Sequence, residues 1–366
     1  MENKTPLIAI THGDPNGTGY EQIFKIFEAP EMLEMCTPMV YGSPKLAGYH
    51  RKALDMQAAF NIISNAADAV PGHVNLLSCF DEEVKVELGT PTTDSAAAAA
   101  KALERAAKDA AAKSVDAVVC APVCSVEADG RRMHDSTEAV AAMAAGGGKV
   151  LTMMHNECMK VAFLTNDNPV EDVPKAVTKE SVEQACTMLH NALRRDFRVS
   201  VPRIAVLALN PGGDGREETE AIIPAIQTLA ENKIGAFGPY SAENFFARSD
   251  FYTFDCVLAM HRAQGAAPMK ALFGNCNIEC AIGTETPVTG VCCGPRFDIA
   301  GRGEADESKL REAIYSAIDI WRRRAQYDEP LGNPLPKIYR ERRDEGERGR
   351  GPRRPARPET PTEGKE

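Results

Sequence analysis

Five polar segments hold the residues whose types and spacing suit chemistry. The first, Thr11-His12-Gly13-Asp14-Pro15-Asn16-Gly17-Thr18-Gly19-Tyr20-Glu21, follows a short apolar run and opens a helical pattern. Its glycines permit a tight turn whose N–H groups face an anion at the helix start; Asp14-Pro15-Asn16-Gly17 is equally good as a plain turn. The second, His134-Asp135-Ser136-Thr137-Glu138, precedes another helical pattern. Hydroxyls there either cap the helix or hold a phosphate, and both readings stand. The third, Leu209 to Glu218, is a strand end, a glycine-rich loop with Asp214 and a helix start, the kind of edge where open α/β sheets bind ligands. The fourth, Ala259-Met260-His261-Arg262-Ala263-Gln264-Gly265, is followed by Lys270. His261 is a ligand or base in the functional reading and a structural or exposed histidine in the plain one. The fifth runs from Cys293 through Gly294, Asp298 and Gly301 to Asp306, with the Gly and Asp content that suits close approach of a ribose and adenine.

The elements that must position these segments alternate. Leu7–Ile10, Met39–Tyr41, Val74–Leu77, Ala117–Cys120, Lys160–Leu164, Arg203–Leu207 and Asp255–Ala259 read as strands. Helices are expected from near Asp94 through the alanine-rich run, over Lys179–Ala192 and over Glu217–Glu231. Alternation of this kind implies an α/β fold with largely parallel sheets covered by helices on both faces.

The totals bound the class. At 366 residues, with 43% hydrophobic and 26% charged residues, the chain has the make-up of a globular protein of about two domains. A net charge of -10 argues against nucleic acid as a partner. No apolar run approaches the roughly 20 residues of a membrane helix, so a membrane is not expected as a partner. The N-terminal apolar stretch reads as a strand instead of a secretion signal. Eleven cysteines lie scattered in apolar segments without paired CxxC spacing, which suggests reduced thiols and a cytoplasmic location. Beyond Pro334 the chain turns charged and rich in Pro and Gly, and residues 336–366 are expected to form a disordered tail.

The segments GDPNGTGYE, FLTNDNPVEDVPKAVTKE, RIAVLALNPGG, IIPAI, GAFGPYSAENFF, VLAMHRAQGAAPMKAL and FDIAGRGEAD occur in the order found in the 4-hydroxythreonine-4-phosphate dehydrogenase (PdxA) family, and up to about Pro336 the chain resembles that family. The resemblance implies two α/β/α domains with a central cleft, like the isocitrate and isopropylmalate dehydrogenases. Residues 1–130 plus 299–335 would form one domain, and 131–298 the other, with the interface of a homodimer. It also implies NAD-dependent oxidation of a small phosphorylated hydroxy acid, followed by decarboxylation, in vitamin B6 synthesis. A divalent metal held by three histidines polarises the alcohol in that chemistry.

The carry-over is uneven. Asp167 stands where the family's T-H-I-P has its first metal histidine, Gly212 where L-N-P is followed by the second, and Arg262 where Y-H-D-Q-G has the third. On the phosphate side Thr137 and Lys270 remain, Ser136 replaces a histidine, Glu279 an asparagine and Val288 an arginine. Ser136, Thr137, Lys270 and Glu279 are therefore the expected substrate contacts; Gly294, Asp298 and Gly301 are the expected cofactor contacts. The family's metal pattern is missing. Only Asp167, Asp214 and His261 offer a shifted set of ligands. The resemblance leaves two functions open, the family's dehydrogenase reaction and a non-catalytic relative that binds a nucleotide or phosphorylated metabolite.

Overall fold

The computed structural model describes residues 5–332 except 58, 82, 129–130, 134 and 275–276. His134 and the tail expected at 336–366 lie outside the described residues. Fourteen strands are described: β1 Leu7–Thr11, β2 Thr37–Gly42, β3 Asn61–Ile63, β4 Asn75–Ser78, β5 Ala117–Cys120, β6 Val126–Ala128, β7 Arg131–Met133, β8 Leu151–His155, β9 Lys160–Thr165, β10 Arg203–Leu207, β11 Gly235–Tyr240, β12 Cys256–His261, β13 Ile278–Ile282 and β14 Val288–Val291. Twelve of them form one sheet in the order β11-β10-β12-β9-β8-β13-β14-β5-β1-β2-β4-β3, and β6 and β7 make a separate hairpin. β5, β1, β2, β4 and β3 pair in parallel with β14 at one end of the run, and β9, β12, β10 and β11 form a second parallel block. The two blocks run in opposite senses, because β8 and β13 between them pair antiparallel with each other and with their outer neighbours.

Alternation along each strand decides which side a residue serves. Ile8, Ile10, Val40 and Val119 point to one face and pack with Leu310, Ile314 and Ala317 of the helix Ser308–Gly332. Ala9, Met39, Tyr41 and Val118 point to the other, against the alanine stripe of the helix Thr93–Ala111. That helix begins at a capping box, with Thr92 and Ser95 bonding each other's backbone. Its alanines let it lie close to the sheet, where Ala98, Ala102 and Ala106 are buried. The second block repeats the scheme. Ile204, Val206 and Leu258 face the helix Lys179–Arg195, and Val161, Phe163 and Ala259 face Met269 of the helix Arg262–Phe273. Each half of the sheet is thus covered on both faces, the arrangement that near-continuous apolar runs alternating with helices demand.

The expected strands and helices lie where the sequence puts them, with ends unchanged or shifted by up to three residues. The helix expected over Glu217–Glu231 enters through a π-turn, Glu218–Ile222, before Ile223–Glu231. Among the described residues no helix is long and apolar enough to cross a membrane.

Candidate functional site

The ends of β9 and β12 are held together before they deliver any polar side chain. Thr165 Oγ1 donates to the Met260 carbonyl at 2.8 Å, and Gln264 Oε1 accepts from Met260 N at 2.8 Å. Gln264 Nε2 also donates to the Ala208 carbonyl beyond β10. The helix Arg262–Phe273 starts on the residue after β12 and packs tightly on the sheet, where Gly265 leaves room: a Cβ there would lie 2.5 Å from Val161 Cγ1. Arg262, at the first helical position, is therefore directed by both strands and helix.

Its guanidinium makes three hydrogen bonds. Nη1 donates to Asp135 Oδ2 at 3.1 Å and to Asn166 Oδ1 at 2.7 Å, and Nη2 bonds Glu279 Oε1. The Phe163 ring lies 5.4 Å from the guanidinium carbon. Asp135 caps the helix Ser136–Ala144, its Oδ1 accepting from Thr137 N at 2.9 Å and Glu138 N at 3.2 Å. Asn166 Nδ2 bonds Glu138 Oε2 and reaches Asp135 Oδ2 at 3.4 Å. The side chains of Asp135 and Glu279 are only 5% and 2% exposed, against 27% for Arg262. Burial, and next the charge of Asp135, push the Glu279 carboxyl up to about 8, with Arg262 offsetting part of the shift. Burial also raises Glu138, while Asn166 holds it down. Burial disfavours the charged form of Arg262, but Glu279 and Asp135 outweigh it and keep the guanidinium charged.

The residues expected from sequence are distributed over more than this cluster. Ser136 Oγ donates to the Ala121 carbonyl at 3.3 Å. Thr137 is fully buried beside Gly290, and its hydroxyl has no hydrogen-bond partner among the described residues. Glu279 lies within the Arg262 network. Lys270 lines a different cavity of about 160 Å³, with Thr18, Gln22, Cys293, Arg296 and Lys309. Asp298 pairs with Arg296 at 2.8 Å on the surface. Gly301, at φ +77°, packs against Leu88, and Gly294 faces open space. Asp167 and Asp214 are exposed, the first just past β9 and the second on the loop after β10; His261 ends β12, half-buried, and burial lowers its pKa.

The opening glycine turn has turned its N–H groups inward. Asp14 N donates to the Pro122 carbonyl, Asn16 N to Asp14 Oδ1, Gly17 N to the Asp14 carbonyl and Thr18 N to the Pro295 carbonyl. A Cβ on Gly19 would come within 2.0 Å of the His12 carbonyl, so close backbone packing explains that glycine. His12 itself is buried in a stack with Tyr20 and His50.

Sequence reasoning missed Asn166, which organises the network from the position before Asp167. It placed Asp135 and Glu138 in a helix start that caps or holds a phosphate, without foreseeing their pairing with Arg262 and Asn166. The available signal was charge: one arginine and several carboxylates at element ends invite pairing once the strands bring them together.

The donor set does not suit a divalent metal. Among the described residues no group of three or more His, Cys, Asp or Glu side chains has metal-ligating geometry. The buried carboxylates Asp135 and Glu279 are paired with a guanidinium, which cannot deprotonate to make way for a cation.

In open α/β sheets, polar clusters at strand ends of this kind are where small molecules bind. A model of the family described as pyridoxal phosphate biosynthetic protein PdxA matches residues 34–317. A 4-hydroxythreonine-4-phosphate dehydrogenase of Bacteroides thetaiotaomicron is 40% identical over 355 residues, 95% of this chain and 98% of the relative. One from Geobacter metallireducens is 32% identical over 334 residues, 88% of this chain and 97% of the relative. The crystal structure of a 4-hydroxythreonine-4-phosphate dehydrogenase from Burkholderia phymatum superposes with a TM-score of 0.68 at 26% identity, covering 87% of this chain and 98% of that one. The chain belongs to the PdxA family.

Proposed function

We propose that this protein carries out the family's role in pyridoxal phosphate biosynthesis, NAD-linked oxidation of a small phosphorylated hydroxy acid, with a site rebuilt around Arg262. Similarity over nearly the whole chain to relatives named for that reaction carries the reading. Ser136, Thr137 and Lys270 are the residues assigned to the phosphorylated substrate, and Gly294, Asp298 and Gly301 those assigned to NAD. A homodimer is part of the same reading. When bound, NAD supplies the hydride acceptor; the protein's part is to orient the hydroxyl and keep charge balanced beside it.

The network of Arg262, Asp135 and Glu279 favours a second reading, a relative that binds a nucleotide or phosphorylated metabolite without turnover. Purified full-length protein given 4-hydroxythreonine 4-phosphate and NAD separates the two. Formation of NADH at enzymatic rates supports the first reading. Saturable NAD binding without NADH formation would replace it with the second.

A further inference from the structure

We propose that the guanidinium of Arg262 takes the place of the divalent cation used in the family, so that this site binds no divalent metal. The proposal deepens the reading above and rests on its assignment of this cluster to the family's reactive site. Arg262 stands in the sequence where the family has a metal histidine, and its positive charge is already matched. Two carboxylates almost withdrawn from solvent, Asp135 and Glu279, converge on it. The second oxygen of Asp135 is used by the N–H groups of Thr137 and Glu138. Asn166 turns its carbonyl oxygen to the guanidinium and its NH₂ to Glu138 and Asp135, so both ends of its amide are engaged. Phe163 covers one side of the guanidinium. A cation entering here would have to displace a group that stays charged at every accessible pH. A fixed guanidinium can polarise a hydroxyl or keto oxygen as a metal does, but it does not dissociate and chelators cannot remove it.

The test is calorimetric titration of Mn²⁺ and Zn²⁺ into the chelator-treated full chain, with thermal unfolding as a second readout. Wild type and Arg262→Lys are expected to show neither stoichiometric heat nor a metal-dependent rise in melting temperature. Arg262→Gln, which leaves the carboxylates without a cation, is expected to bind at least about tenfold more tightly than wild type. Arg262→His is a second variant with the same expected gain, should the Gln form not fold. Stoichiometric binding by wild type would overturn the proposal, and so would folded Gln or His variants that bind no better than wild type. Failure to form NADH sinks the dehydrogenase reading but leaves this titration unchanged, so the two can fail separately.

Discussion

Replacing Arg262 by Gln should cost far more than loss of an ordinary arginine. The substitution strips the buried Asp135 carboxylate of its counter-charge, next to a Glu279 carboxyl that burial already holds near 8; their side chains are 5% and 2% exposed. Removing one partner from a buried ion pair costs about 3–5 kcal/mol, mostly the penalty of the charge left behind. Loss of the contact with Phe163 adds about 0.5–1 kcal/mol. Arg262 is itself about a quarter exposed, and water entering the vacated space offsets part of this, so the lower end, about 3 kcal/mol, is expected. By contrast Arg216→Gln, which breaks the exposed pair with Glu220, should leave stability nearly unchanged. Urea unfolding at pH 7 measures both. Adding Asp135→Asn and Glu279→Gln to the Arg262→Gln chain removes the stranded Asp135 charge and the acid beside it and should recover at least about half of the loss. A loss under about 1 kcal/mol for Arg262→Gln, or no recovery in the triple variant, would refute the idea of a tightly neutralised buried network.

Three further outcomes are expected. Burial lowers His12 and His50 to about 4 and His155 to about 3, so the unfolded chain binds more protons than the folded one as pH falls below about 6.5, and each histidine costs about 2 kcal/mol at pH 5 relative to pH 7. Glu279, held near 8, works in the opposite sense, leaving a net loss of roughly 3 kcal/mol; unfolding midpoints at pH 7 and 5 check it, and higher stability at pH 5 would contradict the sign. Arg324 forks onto Asp196 with two bonds of 2.8 Å and donates to the carbonyls of Thr284 and Glu285, so Arg324→Lys should cost about 2 kcal/mol, read from urea unfolding. Gly265→Ala places a methyl against Val161 and should cost about 1–3 kcal/mol, with a perturbed aromatic signal from Phe163 as the helix shifts.

The sequence carried the scaffold well wherever a pattern was local. Short apolar runs placed β1, β5 and β10, and the alanine-rich run from near Asp94 marked the helix over Thr93–Ala111. β13 and β14 were not read, because Ile278–Ile282 and Val288–Val291 are short runs whose central position depends on pairing with β8 and β5. The same non-local pairing builds the site. Glu279 reaches Arg262 only because β13 lies between the two parallel blocks, and neither residue signals the other along the chain. The glycine turn shows the reverse limit. Its composition suits an anion loop, but contacts with Pro122 and Pro295, distant in sequence, use its N–H groups.

The most direct measurement is the metal content of full-length protein purified without chelator, determined by plasma mass spectrometry. The expected result is far less than one equivalent of zinc, manganese, cobalt, nickel or magnesium per chain, with Arg262 neutralised as described. One equivalent of any of these, removed by chelator and lowering the melting temperature as it leaves, would contradict the assignment of that place to Arg262.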